Sequence, residues 1–297
     1  MILLLSSSLY SNQSDYKKVT YEDIILFAEE KDLKTADIII SRLNEDIQIF
    51  QRQIGSYLDV PVNVVIAPDQ EEYLKWVKGH SKIMEFSLAF YNNRNKTIYL
   101  QNPKNLKSIS TLRRILLHEY IHHFVGCYLK NPPLWFNEGM AVYFSGDMGI
   151  DREINFIRNY LLGNSRSLEM MKYSYPKNRI EWESFYAKSG LAVKYLYNKR
   201  KLEFYRFWDY ALSSGDFDSA FTKSFFFTPK DFSAFFEEYS KTHFRVEILL
   251  ASTGIIWSIL PLVLIIGVIK KKIRNRKKEK EWTEDDESRE LQGEEIE

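Results

Sequence analysis

The stretch that decides the fold is STLRRILLHEYIHHFVG, residues 110–126. Ser110 or Thr111 can cap a helix N-terminus, and Gly126 is a residue type that commonly follows a helix C-terminus. The residues between them are compatible with a helix throughout and include no proline. The stretch therefore predicts one uninterrupted helix.

Two histidines and a glutamate stand out within this helix. His118 and His122 are four residues apart, so they lie on one helix face, where both imidazoles can bind a single metal ion. Glu119 projects beside that pair without having to be a ligand, which suits a general base next to a metal. With 5 His and 40 acidic residues in the chain, this motif arises by chance in about one chain in a hundred. The motif alone is suggestive, and a third ligand is needed.

A third ligand is available in NPPLWFNEGMAVYF, residues 131–144. Glu138 lies near the start of a second predicted helix, after a proline-rich turn. Catalytic zinc sites use three protein ligands and leave a fourth position open, and two histidines with one carboxylate are a known set. Glu138 is thus a candidate carboxylate ligand.

The two motifs resemble those of the gluzincin metallopeptidases, specifically the peptidase MA-like family, in which HExxH is followed by W-x-x-E-G. The corresponding segments are HEYIH, residues 118–122, and WFNEG, residues 135–139. The resemblance implies three ligands for Zn²⁺ and one catalytic base: the ligands His118, His122 and Glu138, and the base Glu119.

The resemblance is specific at these two motifs and looser over the rest of residues 36–243. It implies that Tyr186, in SFYAKSG, is a catalytic residue that stabilises the oxyanion of a tetrahedral intermediate, with core packing as an equal alternative. One position departs from the family pattern. Four residues after the glutamate ligand, where an acidic residue often supports a histidine, this chain has Val142. His123 either hydrogen-bonds near the site or, in the favoured interpretation, is only a neighbour on another helix face.

Other classes of zinc peptidase fit the sequence less well. The metzincin pattern requires a glycine three residues after the second histidine, where this chain has Val125. It also requires a third histidine six residues after the second, where this chain has Tyr128. An intramembrane protease would carry its motif in an apolar span, but Arg113 and Arg114 precede the motif here. The gluzincin pattern is therefore the one that the sequence supports.

The remaining sequence predicts an α+β domain, with strands first and helices after. The resemblance implies that this domain is of the gluzincin type, with a small sheet and the active-site helix followed by a helical C-terminal half. Apolar residues at steps of three and four over 39–57 indicate an amphipathic helix. Residues 60–68 predict a strand, 69–79 a helix with an aspartate cap, and 86–100 a hairpin. After residue 150 the pattern is helical throughout, including a helix opened by Thr228.

An apolar segment near the C-terminus predicts a membrane anchor. ILLASTGIIWSILPLVLIIGVI, residues 248–269, carries no charge and is long enough for a helix to cross a hydrocarbon core of roughly 30 Å. The twenty residues after it contain 9 Lys and Arg, against 3 in the twenty before it. By the positive-inside rule, the C-terminus is then cytoplasmic.

These signals predict four segments of the chain. Residues 1–18 form a weak or truncated signal-like segment, because they have an apolar start but no basic region. Residues 19–247 form an extracytoplasmic peptidase domain, 248–269 a single transmembrane helix in the cytoplasmic membrane, and 270–297 a charged cytoplasmic tail.

Composition excludes some classes of partner. Lys and Arg number 41 against 40 Asp and Glu, so no bulk positive charge favours nucleic acid. The single cysteine, Cys127, excludes an intrachain disulfide. The expected partners are a peptide or protein substrate and the membrane.

Together the motifs predict a membrane-anchored zinc metallopeptidase that acts outside the cytoplasmic membrane. The alternative is a non-catalytic binding or scaffold protein of the membrane that keeps the zinc fold. A scaffold could hold zinc and cleave nothing, so metal content and peptide hydrolysis must be measured together to separate the two.

Overall fold

In the computed structural model of the protein, the first half of the chain builds a five-stranded mixed sheet. The structure describes residues 16–78, 88–103, 108–149, 156, 165–176, 179–243 and 260–276. The strands are β1 Tyr16–Thr20, β2 Ile24–Glu29, β3 Val62–Ile66, β4 Ala89–Asn92 and β5 Thr97–Leu100. Their order is β1-β2-β3-β5-β4. β2, β3 and β5 run parallel, whereas β1 and β4 pair antiparallel at the two edges.

Helices dominate the second half of the chain. The helices are α1 Leu33–Ile54, α2 Gln70–Lys78, α3 Ile109–Tyr128, α4 Leu134–Phe144, α5 Arg179–Lys199, α6 Lys201–Ser214 and α7 Phe217–Phe225. Two further helical stretches span 229–243 (α8) and 260–276 (α9). The chain divides into two compact units, Met1–Glu237 and Glu238–Glu297. The first unit contains the sheet and α1 to α7, and its α+β architecture agrees with the prediction.

The amphipathic helix predicted over 39–57 is α1, which contacts both β2 and α3. The helix ends at Gly55, whose φ of 72° is in the left-handed region that favours glycine. Tyr57, predicted on the apolar face, therefore lies beyond the helix and is exposed. The other predicted members of that face are buried, namely Ile39, Leu43, Ile47, Phe50 and Ile54.

The short elements around the sheet follow the predicted pattern. The strand predicted over 60–68 is β3, and the helix predicted over 69–79 is α2. The Asp69 side chain accepts the Glu72 N–H at 2.9 Å, so the aspartate cap is confirmed. The hairpin predicted over 86–100 is formed by β4 and β5, within its described part from residue 88.

The helix predicted over 110–126 is α3, but both of its ends differ from the prediction. The N-cap is Ser108, whose hydroxyl accepts the Thr111 N–H, so neither predicted cap residue acts as the cap. At the other end α3 continues past Gly126. A Cβ at Gly126 would lie 2.9 Å from Asn93 Oδ1. The glycine therefore permits a close approach between α3 and the turn that joins β4 to β5.

α3 and α4 share a core with α6 through one tryptophan. Trp208 of α6 contacts the rings of Phe124 and Tyr128 on α3, with centroids 5.0 and 5.4 Å away, and the ring of Phe136 on α4 at 6.0 Å. Trp208 is fully buried. Because such buried aromatic contacts resist displacement, α3 and α4 are held at a defined separation.

α4 and α5 cross at very short range at Gly139. A Cβ at this position would lie 2.3 Å from Ser189 O and 2.8 Å from Val193 Cγ2, both on α5. The first of these atoms belongs to backbone and cannot move aside alone. Only glycine fits, which explains the glycine of the WFNEG motif in packing terms.

We expect Gly139→Ala to destabilise the protein by about 1–3 kcal/mol, because overpacking forces the two helices apart. At a helical site with free space, alanine would instead stabilise the protein by about 1 kcal/mol relative to glycine. The clash with α5 is therefore the reason that we expect a loss of stability and not a gain. Urea unfolding measures the difference. Gly149→Ala is the control, since a Cβ there has no heavy atom within 4 Å. Equal midpoints for Gly139→Ala and the wild type would contradict this account of the crossing.

The structure contradicts the transmembrane helix predicted over 248–269. In the part of the chain that it describes, no helix combines the length and the apolar character needed to cross a membrane. The described part of the predicted span begins at residue 260 and continues within α9 into a basic run that includes Lys270, Lys271 and Lys272. The helix thus joins an apolar half to a charged half. The same finding contradicts the predicted single-pass localisation in the cytoplasmic membrane.

Other parts of the predicted terminal segments lie outside the described residues. These parts are 1–15 of the signal-like segment, 248–259 of the predicted span and 277–297 of the predicted tail. Residues 16–18, predicted at the end of the signal-like segment, belong to β1.

Candidate metal centre

Two helices bring the three predicted metal ligands together. α3 carries His118 and His122 one turn apart, with their ring centroids separated by 4.9 Å. α4 carries Glu138, whose Oε2 lies 3.7 Å from His118 Nε2 and 3.6 Å from His122 Nε2. One ligand atom from each residue lies within 4.8 Å of the other two. We call these three residues the ligand group.

The geometry of the ligand group fits a metal ion. Its nitrogen-to-oxygen distances are too long for hydrogen bonds, whereas two ligands of one tetrahedral zinc ion, bonded at about 2.1 Å, lie about 3.4 Å apart. Glu138 is buried, and its Oε2 has no hydrogen-bond partner among the described residues. Because a buried carboxylate oxygen without a donor is costly, a cation is a fitting partner for it. The ligand group can therefore hold a metal ion.

Glu138 is kept ionised by its neighbours. Burial by itself would raise the pKa of this carboxyl, but the charge of His122, the contact with His118 and a hydrogen bond from Tyr175 together lower the pKa below its ordinary value. A metal ligand must be deprotonated to bind. Of these influences, the hydrogen bond from Tyr175 does not depend on charged histidines, which must be neutral to bind a metal ion.

Glu119 lies beside the ligand group and is held by the sheet. Its Oε2 accepts the backbone N–H of Tyr91, in β4, at 2.8 Å. Burial raises the pKa of Glu119 to about 7, and the charge of Glu138 adds to this, against the opposing effects of His122 and the Tyr91 N–H. A carboxyl with a pKa near neutrality is suited to accept and release a proton.

His123 faces away from the ligand group and supports Tyr91. Its Nε2 lies 2.9 Å from Val60 O, and because a carbonyl only accepts, Nε2 carries the hydrogen. Nδ1 is then an acceptor and lies 3.1 Å from the Tyr91 hydroxyl. Burial lowers the pKa of His123 to about 4, so the ring is neutral near pH 7. His123 thus lies on another helix face, as the favoured interpretation has it, and it also makes a hydrogen bond near the site, because its partner Tyr91 binds Glu119.

Tyr186, the predicted oxyanion-stabilising residue, lies on α5. Its ring is half-buried and packs against Trp182 and Phe185, with centroids 5.5 and 5.9 Å away. Tyr175 donates a hydrogen bond to one of the predicted ligands, and its hydroxyl lies 2.5 Å from Glu138 Oε1. Tyr175 was missed from the sequence because it is 37 residues away from Glu138, in the segment KYSYPKN, which carries no motif.

Val142, the departure from the family pattern, packs towards α5. It is fully buried, and its Cγ1 would be 3.1 Å from a Cβ at Gly190. His122 Nδ1 is buried and has no hydrogen-bond partner among the described residues. A metal-binding histidine commonly donates a hydrogen bond to a carboxylate from its second ring nitrogen. Within the described part of the chain, His122 makes no such hydrogen bond.

Comparison with models of protein families finds no match for this chain, and none of the curated proteins matches it. The resemblance to gluzincins therefore depends on the two sequence motifs alone.

Proposed function

We propose that this protein is a zinc-dependent peptidase that hydrolyses peptide bonds in peptide or protein substrates. The observation that carries the proposal is the position of Glu119, beside a group of two histidines and one glutamate but not part of it. Structural zinc sites almost always have four protein ligands, whereas catalytic sites have three. The described residues offer three ligands here.

The donor atoms favour zinc over other common ions. Two imidazole nitrogens and one carboxylate oxygen suit zinc, whereas Mg²⁺ and Ca²⁺ prefer oxygen ligands throughout.

Glu119 is the proposed general base. A bound zinc ion would act as a Lewis acid that polarises the scissile carbonyl. Glu119 would accept the proton of the attacking water and pass it to the leaving amine. The Tyr91 N–H holds Oε2 of Glu119, which leaves the other carboxylate oxygen to exchange the proton.

The sheet edge next to Glu119 offers a place for an extended substrate. β4 is an edge strand, and the contact between Tyr91 and Glu119 places this strand beside the proposed base. An extended peptide can add to an edge strand through main-chain hydrogen bonds. We therefore expect peptides and unfolded segments to be better substrates than folded domains.

We expect the purified protein to retain about one zinc ion per chain, because its three ligands are already arranged around one point. His118→Ala/His122→Ala should lose the ion, since only Glu138 of the ligand group would remain. Elemental analysis measures the content. His243→Ala, which removes a histidine outside the ligand group, is the control. Equal zinc content in the double variant and the wild type would exclude the metal centre.

Peptidase activity is tested separately, by profiling the protein on a peptide library with and without a chelator.

A further inference from the structure

The two oxygens of Glu138 have different surroundings. Oε2 faces both histidines at 3.6 and 3.7 Å. Oε1 accepts the Tyr175 hydroxyl at 2.5 Å, a short distance typical of a hydroxyl bound to a carboxylate. One oxygen is therefore directed to the metal position, and the other is already occupied by a donor from the protein.

Tyr175 is held in place by stacking on α5. Its ring lies nearly parallel to that of Trp182, with centroids 4.8 Å apart and planes 10° from each other. Phe185 packs against it at 5.6 Å. These contacts fix the ring by themselves, so the hydroxyl group is not needed to place it.

The backbone that carries Tyr175 is tied to the start of α4. Leu134 N–H donates to Lys172 O at 3.0 Å, and Trp135 N–H donates to Met171 O at 3.2 Å. The carbonyls of 171 and 172 thus bind N–H groups in the first turn of α4, which have no partner within the helix. As a result Tyr175 and Glu138 are anchored to the same helix end.

A buried lysine anchors the same segment further upstream. Lys188 of α5 donates to Arg166 O at 2.6 Å and to Ser165 Oγ at 3.2 Å, and it pairs with Glu237 at 2.5 Å. Lys188 is fully buried. The segment 165–176 is therefore fixed to α5 near its beginning and to α4 near its end.

We propose that Tyr175 is a positioning residue that makes Glu138 a metal ligand through one oxygen only, an inference that rests on the proposed zinc site. With Oε1 engaged by the hydroxyl, only Oε2 is directed at the metal, and a fourth coordination position stays open. Without the hydroxyl, Oε1 would be a buried acceptor with no donor, or would turn towards the metal and take that position.

In this arrangement the supporting hydrogen bond is made to the glutamate of the ligand group, where the family pattern often has one to a histidine. Val142 stands where an acidic residue could support a histidine, and His122 Nδ1 has no hydrogen-bond partner in the described part of the chain. Groups that hydrogen-bond to metal ligands orient them and raise affinity for the metal. In this protein the Tyr175 hydroxyl supplies such a bond to Glu138.

Tyr175→Phe tests the proposal, because it keeps the ring and removes only the hydroxyl. We expect the affinity for Zn²⁺, measured by competition with a chelator, to fall by about 10- to 100-fold. The visible spectrum of the Co²⁺-loaded protein should also change, since it reports the coordination of the ion. Tyr128→Phe is the control. It removes a hydroxyl that donates to Tyr57 O at 2.8 Å, and it should leave both the affinity and the spectrum as in the wild type.

The outcomes separate this inference from the proposed function. Equal Zn²⁺ affinity and equal Co²⁺ spectra for Tyr175→Phe and the wild type, in a wild type that cleaves peptides, would overturn the role of Tyr175 and leave the peptidase intact. Weaker binding by Tyr175→Phe, in a wild type that cleaves nothing, would support the role of Tyr175 and overturn the peptidase. A wild type that binds no Zn²⁺ overturns both.

Discussion

Replacing Glu119 by glutamine is expected to suppress peptide hydrolysis while the metal stays bound. The amide keeps the shape of the side chain and an oxygen that can accept the Tyr91 N–H, but it cannot accept a proton from water. General-base catalysis typically contributes about 10²- to 10⁴-fold, so turnover should fall by about that factor or more. The measurements are kcat on a peptide found by profiling and the zinc content of the same preparation.

Glu45→Gln is the matched control for this variant. Glu45 lies on α1, is exposed, and pairs with Arg42 on the surface at 3.0 Å, so its neutralisation should change neither kcat nor zinc content. Glu119→Gln with the kcat of the wild type would refute the proposed mechanism even if zinc is bound. A wild type that binds zinc and cleaves no peptide in the library would favour the scaffold alternative.

Replacing Glu138 by glutamine is expected to lower metal occupancy and activity together. Glu138 contributes the only carboxylate of the ligand group, and a neutral amide is a poorer ligand for zinc. The zinc content after dialysis should fall well below that of the wild type, and hydrolysis should fall with it. Added zinc should restore part of the activity, because the histidines remain in place.

The two glutamate variants are informative as a pair. Glu119→Gln should lose turnover with zinc retained, and Glu138→Gln should lose zinc first. Urea unfolding of both metal-free variants checks that each is folded. If Glu138→Gln holds zinc as tightly as the wild type, Glu138 is not a ligand and the ligand group must be redefined.

Features set by neighbouring residues were predictable from the sequence. The spacing of His118 and His122 follows from the pitch of one helix, and Glu119 must project beside them wherever that helix lies. Apolar residues at steps of three and four marked α1, a short apolar run marked β3, and the turn-forming asparagines marked the hairpin. The candidate third ligand, Glu138, was found through a second motif in the chain.

Local patterns were less successful at helix ends and at the C-terminus. Gly126 looked like a helix terminus, but in the structure it lies where α3 meets the Asn93 side chain. The apolar run over 248–269 predicted a membrane span, yet its described part shares a helix with basic residues. In both cases the local pattern is compatible with more than one structure, and the prediction chose the structure with which that pattern is most often associated.

The sequence by itself determined the residue types of the candidate ligands, the spacing of the histidines and the identity of the proposed base, because one helix and two short motifs contain them. Only the tertiary structure decided which groups support them. The Tyr91 N–H reaches Glu119 through the sheet edge, and the Tyr175 hydroxyl reaches Glu138 through a segment bound to the start of α4. These contacts join residues that are 28 and 37 positions apart in the chain. Sequence periodicity gives no information about such contacts, because they form only when separate helices and strands pack together.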